Sequence, residues 1–222
     1  MEEIRSLIAD VPAVWRDLDH LKQAFVVLKA IADFTFCGLT PLLFGKTHMT
    51  LRTVTLMPLV ALCFVSSDAA MFFALSKAAE RTQIWIGLLL VLYSLVFFWW
   101  AQYTMKTFSG LTAAFSDDAP TFLITSGPWA FVRNPLYSAY LASLLAGFIV
   151  TSSSNHPDHG HAFLVSHAGG IALSALLVVF SIYYSAIREE EAKFDSSKLR
   201  SKYEAYKKKV WRFLPLGDVF GR

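Results

Sequence analysis

Residues 84–101 read IWIGLLLVLYSLVFFWWA. The stretch carries no charged side chain and closes on the pair Trp99 and Trp100 before a final alanine. At about 1.5 Å of rise per residue, a helix of this length crosses most of the roughly 30 Å hydrocarbon core of a bilayer. Tryptophan favours the boundary between lipid and water, so the pair marks the exit. A helix that is apolar all round is buried in protein or in lipid.

Four other segments extend the pattern. Residues 25–44 are apolar apart from Lys29 and Asp33, which stand four apart and can pair on one helix face. Residues 53–75 contain Pro58 and a single acid, Asp68. An acid inside a span is a functional-site candidate, or else it faces a neighbouring helix or the far surface. Residues 136–153 carry no charge, and residues 162–187 are long enough to tilt. The pair Gly169 and Gly170 in the last segment would allow close helix approach. Composition agrees: of 222 residues 55% are hydrophobic and only 17% are charged, against about 25% in soluble domains. The expected fold is an all-α integral membrane protein of about five transmembrane helices with a cytosolic C-terminal amphipathic helix. It divides into an amphipathic segment over 1–23, three spans over 24–104, and a core over 105–222 that holds spans four and five and the last helix.

The termini support an orientation. Residues 1–23 alternate charged and apolar groups at helical spacing with Pro12 as an interruption; an interfacial helix and a flexible terminus both fit. The acids Glu2, Glu3, Asp10, Asp17 and Asp19 exclude a secretory signal in the first twenty residues. Ten of the twenty Lys and Arg follow Ile187, which places that tail in the cytosol, and residues 152–161, with none, on the far side. The connector over 105–135 then returns to the cytosol; only Lys77 and Arg81 fit this scheme poorly. The net charge of +3 is local and gives no reason to expect nucleic acid. Cys37 and Cys63 lie in apolar segments, so neither a disulfide framework nor a zinc site is expected. His156, His159, His161 and His167 lack acidic or cysteine partners at fixed spacing, and the expectation is no metal.

Two polar clusters fall on the same face under this topology. The connector contains TFLITSGPWAFVRNPLY over residues 121–137, punctuated by Gly127-Pro128 and Asn134-Pro135. Asn134 fits the cap of span four with Pro135 in its first turn. Arg133 then either offers a fixed fork of donors to a carboxylate or reaches up to lipid phosphates. The second cluster, Arg188 with Glu189, Glu190 and Glu191, closes span five, where at least one carboxylate faces the bundle or all lie on a solvated face. Beyond it, Phe194, Leu199, Tyr203, Tyr206, Val210 and Phe213 make an amphipathic helix whose basic face suits an anionic leaflet, stopped at Leu214-Pro215.

These residues carry a resemblance. Leu123-Ile124-Thr125-Ser126-Gly127, then Arg133-Asn134-Pro135 and Tyr137, then Arg188 with Glu190-Glu191, then Tyr203, Tyr206, Val210 and Pro215 resemble the isoprenylcysteine carboxyl methyltransferase family. The related phospholipid methyltransferases share much of the signature. The resemblance covers residues 110–215; the first three spans add only hydropathy. Three departures are visible: Asn134 stands where the family often has His, Trp129 where it has Tyr, and Ala139 where it has Gly. Leu199-Arg200 replaces the usual Phe-Gly before Tyr203, and the tail spacing is one residue longer.

The resemblance implies a membrane enzyme of the endoplasmic reticulum, its active site facing the cytosol. It would use S-adenosylmethionine to methylate the C-terminal prenylcysteine carboxylate of CAAX-processed proteins, with prenylated protein C-termini and membrane lipids as partners. It places the cofactor against Thr121, Phe122, Leu123, Ile124, Trp129, Asn134, Pro135, Leu136, Tyr137 and one of Glu190 or Glu191. Arg188 would face the substrate carboxylate, and catalysis would rest on Arg133, Arg188 and Glu190. Two other functions stand beside this one: phosphatidylethanolamine-type N-methylation, whose amine acceptor needs a base, and a non-enzymatic membrane scaffold.

Overall fold

A computed structural model describes residues 2–39, 51–75, 80–106, 120–152 and 162–213. Every regular element among them is helical. α1 runs over Glu2–Asp17 and α2 over His20–Phe34, with a π turn at Thr35–Leu39 extending α2. α3 is Leu51–Leu75, α4 Arg81–Lys106, α5 Pro135–Thr151, α6 Ala162–Asp195 and α7 Arg200–Lys207.

Three helices are long and apolar enough to cross a membrane: α3 over Thr55–Leu75, α4 over Arg81–Met105 and α6 over His167–Asp195. α5 is apolar but shorter, at 17 residues. The first expected span is covered only in part. α2 and its π turn reach Leu39, and residues 40–50 lie outside the described residues.

α5 sits at the centre. It packs on α3, α4 and α6, α3 also packs on α6, and α2 lies against α4. Edge and tilted ring contacts tie these helices together. Phe36 of the π turn meets Tyr140 at 4.9 Å and Phe98 at 5.2 Å, and Tyr140 meets Tyr183 at 5.5 Å. Such ring pairs add to the apolar area they bury. The outward faces carry Leu62, Val65, Leu89, Val96 and Leu177, all exposed, as a lipid-facing surface requires. Cys37 and Cys63 are free thiols.

Local details differ from the sequence pattern for physical reasons. α1 passes through Pro12 unbroken, and the chain breaks instead at Leu18 and Asp19. There the Asp19 carboxylate accepts from the Lys22 amide at 2.9 Å and caps α2. Gly169 and Gly170 do not serve a tight crossing. A β carbon on Gly169 would make ordinary contact with the Thr151 carbonyl oxygen at 3.6 Å, and one on Gly170 would meet nothing within 4 Å. The close approach is at Gly87 on α4, where a β carbon would lie 2.8 Å from Phe25 and 2.9 Å from Val150.

Candidate functional site

The connector enters the site through a turn that only glycine opens without strain. Gly127 has φ +60°, and Pro128 follows it at the start of a 3-10 turn over Gly127–Ala130. The amides of Phe131 and Val132 both donate to the Pro128 carbonyl at 3.1 Å. The turn presses onto the last turns of α4: a β carbon on Gly127 would lie 2.4 Å from Thr104 Oγ1. Gly127→Ala is therefore expected to lower stability by about 1–3 kcal/mol from φ alone, with more from the overlap. A fall in thermal midpoint checks it; an unchanged midpoint would mean the turn is not built this way.

Past the turn, the backbone is met by residues from far along the chain. The Arg133 amide donates to the Trp211 carbonyl at 2.6 Å, and Val132, fully buried, forms a single bridge with Trp211. Asn134 occupies the cap position of α5, but its side chain does not cap. Its Nδ2 donates instead to the Arg212 carbonyl at 3.0 Å, while its own carbonyl accepts from the Ser138 amide and hydroxyl. The Ser138 hydroxyl is also within 2.6 Å of the Phe213 carbonyl. Residues 210–213 thus lie as a strap across the connector.

One carboxylate holds this strap to the end of α6. Glu191 accepts from Arg133 Nη1 at 3.2 Å, and from Arg212 Nε at 3.3 Å and Nη2 at 3.0 Å. All three side chains are largely buried, with 11% of Glu191, 6% of Arg133 and 18% of Arg212 exposed. Charge-assisted bonds of this kind are the strong ones when shielded from water.

The expected tail helix is interrupted. α6 continues to Asp195, a turn follows, and α7 ends at Lys207. Leu214 and Pro215 lie outside the described residues. The apolar face that suited lipid faces inward instead: Tyr203, Tyr206 and Val210 pack with Leu123 and Phe194. Tyr203 stacks on Phe194 at 4.5 Å, and the Tyr206 hydroxyl donates to the Trp129 carbonyl at 2.7 Å. Burial, then the Glu191 charge, pushes the Tyr203 hydroxyl above its ordinary range; burial does the same for Tyr206. Both phenols stay protonated.

Between these parts lies a small open cleft with a cavity volume of about 50 Å³. Phe122, Leu123, Ile124, Trp129, Arg133, Asn134, Glu190 and Glu191 line it, so the two sequence clusters meet there. Pro120, Phe194, Tyr203 and Tyr206 complete the wall. Two polar groups of the lining are unspent. Arg133 Nε is buried without a hydrogen-bond partner, and the Glu190 carboxylate makes no hydrogen bond or ion pair among the described residues.

Five expected site residues do not line the pocket. Thr121 is exposed beside it. Pro135 is buried as the first residue of α5, and Leu136 packs against the central core. Tyr137 turns into the bundle and meets Tyr183 at 4.9 Å. Arg188 is exposed and has no ion-pair partner among the described residues. Position in the first turn of α5 decides the first group: once Asn134 starts the helix, the next residues rotate away from the connector toward α6. Arg212 was missed, because one base among ten in a tail has no periodic signature.

No protein-family model, no curated protein and no solved structure matches the chain.

Proposed function

We propose that this protein is an integral membrane methyltransferase that binds S-adenosylmethionine in the pocket between the connector and the end of α6. The acceptor would be the C-terminal prenylcysteine carboxylate of CAAX-processed proteins. The observation that carries the reading is the pairing of an unspent acceptor, Glu190, with an unspent donor, Arg133 Nε, in one pocket walled by Trp129, Phe194, Tyr203 and Tyr206. A ligand with an ammonium, a carboxylate and a flat ring system complements each of these features. The finer placement belongs to the same proposal: five spans, a cytosolic tail, and a site facing the cytosol from the membrane of the endoplasmic reticulum.

When bound, S-adenosylmethionine supplies a methyl group from its sulfonium. The chain's own residues would then align and desolvate. A carboxylate acceptor, with a reference pKa near 4, is already ionised at neutral pH, so no general base is needed. Arg188 is available to meet it, since no side chain among the described residues pairs with it and it is exposed on α6 one turn before Glu191. Glu191 holds the Arg133 guanidinium through Nη1 and the Trp211 carbonyl holds its backbone amide, so the buried Nε–H is directed with little rotamer freedom. The unpaired Glu190 also favours a second reading, phosphatidylethanolamine-type N-methylation, in which that carboxylate would take the proton of an amine acceptor.

Glu190→Gln is expected to weaken S-adenosylmethionine binding roughly 10- to 100-fold, the worth of one hydrogen bond to a charged group. The fold should be little changed, because Glu190 makes no hydrogen bond or ion pair among the described residues. A binding titration on the detergent-solubilised protein checks this. Absence of saturable binding in the wild type would favour the scaffold reading. Transfer of labelled methyl to a farnesylated cysteine analogue, against phosphatidylethanolamine, separates the two enzymes.

A further inference from the structure

A second polar centre lies in the interior of the bundle, away from the pocket. Lys29 on α2 is fully buried. Its ammonium donates to Asp33 one turn on, and to Asp68 Oδ1 on α3 at 2.7 Å. The other oxygen of Asp33 accepts from Ser143 Oγ on α5 at 2.5 Å. Ser143 is eight residues from each end of α5 and Lys29 nine from the start of α2. At about 1.5 Å per residue the centre is about 12–14 Å from those helix ends. In a bilayer that is near the middle of the hydrocarbon core.

The charges there do not balance. One ammonium faces two carboxylates. Around them, Cys37 on the π turn, Cys63 on α3, Tyr140 on α5 and Tyr183 on α6 are the other ionisable groups, all neutral at physiological pH by their ordinary values. The buried face of α4 brings Val91, Ser94 and Phe98 and no charge. An uncompensated charge at this depth is costly. A metal cation would meet the Lys29 ammonium, whereas a proton would not need coordination space.

A separate feature points to the same spot. Ser67 Oγ is fully buried and has no hydrogen-bond partner among the described residues. A β carbon on Gly147 would lie 3.1 Å from that oxygen, 3.3 Å from Lys29 Cε and 3.9 Å from Lys29 Nζ. The hydroxyl and the lysine side chain therefore pack side by side against the Gly147 backbone, which leaves no room for a larger residue. Lys29 has three N–H donors and spends two on the carboxylates. Asp68, with 29% of its side chain exposed, is the open side of the centre.

We propose that Lys29, Asp33 and Asp68 form an intramembrane proton-binding site that holds one exchangeable proton on its pair of carboxylates. The proton leaves a hydronium ion, whose O–H bond breaks as an O–H bond forms on one carboxylate oxygen; the centre gains one positive charge and becomes neutral, and Asp68, the less buried of the two acids, is the exchanging side.

Infrared spectra of the full chain in lipid nanodiscs test this at neutral pH. The wild type should show the carbonyl stretch of a protonated carboxylic acid, and that band should be lost in the difference spectrum against Asp68→Asn. Asp33→Asn should lose it too, because either change leaves one ammonium with one carboxylate. Asp68 is partly open, so its variant retains the buried Lys29–Asp33 pair and the means to fold. Thermal stability of the wild type should also fall as pH rises on the alkaline side, and Asp68→Asn should flatten that dependence. A wild type without the band, a band unchanged in Asp68→Asn, or parallel stability profiles would overturn the proposal.

Discussion

Glu191→Ala is expected to lower the stability of the fold by about 3–5 kcal/mol, the usual cost of leaving a buried charge without its partner. The substitution leaves two such charges. Arg133 and Arg212 both point at the Glu191 carboxylate, and neither is more than about a fifth exposed. Without the acid they would face each other with little solvent to screen them. The damage should spread, because the same arginines belong to residues whose backbones clasp the connector: Arg133 through the Trp211 carbonyl, Arg212 through Asn134. Glu191→Gln keeps an acceptor oxygen but removes the charge, and should fall between. Chemical unfolding in detergent reads the effect. The neighbouring Glu190→Gln is the control, since that carboxylate makes no hydrogen bond or ion pair among the described residues. A loss below about 1 kcal/mol for Glu191→Ala would put the triad in the class of solvated surface pairs and sink its role as a clasp.

Lys29→Met should be of similar size, roughly 3–5 kcal/mol at neutral pH, by the same rule. Asp33 would lose its cation while almost fully enclosed, and Asp68 its only donor among the described residues. Both acids would then have to stay protonated to remain in the bundle, so the deficit should deepen as pH rises. Replacing all three groups, as Lys29→Met with Asp33→Asn and Asp68→Asn, should recover most of the loss, because a neutral centre has no charge to leave stranded. Thermal midpoints of the single and triple variants across pH settle the matter. Equal losses in both would show that methionine fails for reasons of shape, next to Phe64 and Gly147, rather than charge.

Much of this architecture was legible from hydropathy. α3, α4 and α6 are long apolar runs, and no packing detail is needed to find them. The pairing of Lys29 with Asp33 followed from a spacing of four. The meeting of the connector with Glu190 and Glu191 followed from counting spans, since charge bias placed both on one face. Other features had no local signal. The aromatic face of Tyr203 and Tyr206 has the period of a lipid-facing helix, and only tertiary structure turns it onto Leu123. Asn134 has the chemistry of a cap and its position, yet the Arg212 carbonyl competes for its side chain and wins. Asp68 was visible as an oddity in a span, but its partner lies 39 residues away, beyond any periodic rule.

The strap has a consequence for how the protein is made. Asn134 and the carbonyl it grips are 78 positions apart. At about 5–20 residues per second, the ribosome delivers the second roughly 4–16 s after the first. For the first part of that interval Arg133 has neither Glu191 nor the strap, and until its end it lacks Arg212 beside it. A nascent chain stalled short of Trp211 should therefore be open to proteases at the Gly127 turn, and closed to them once synthesis has passed that point.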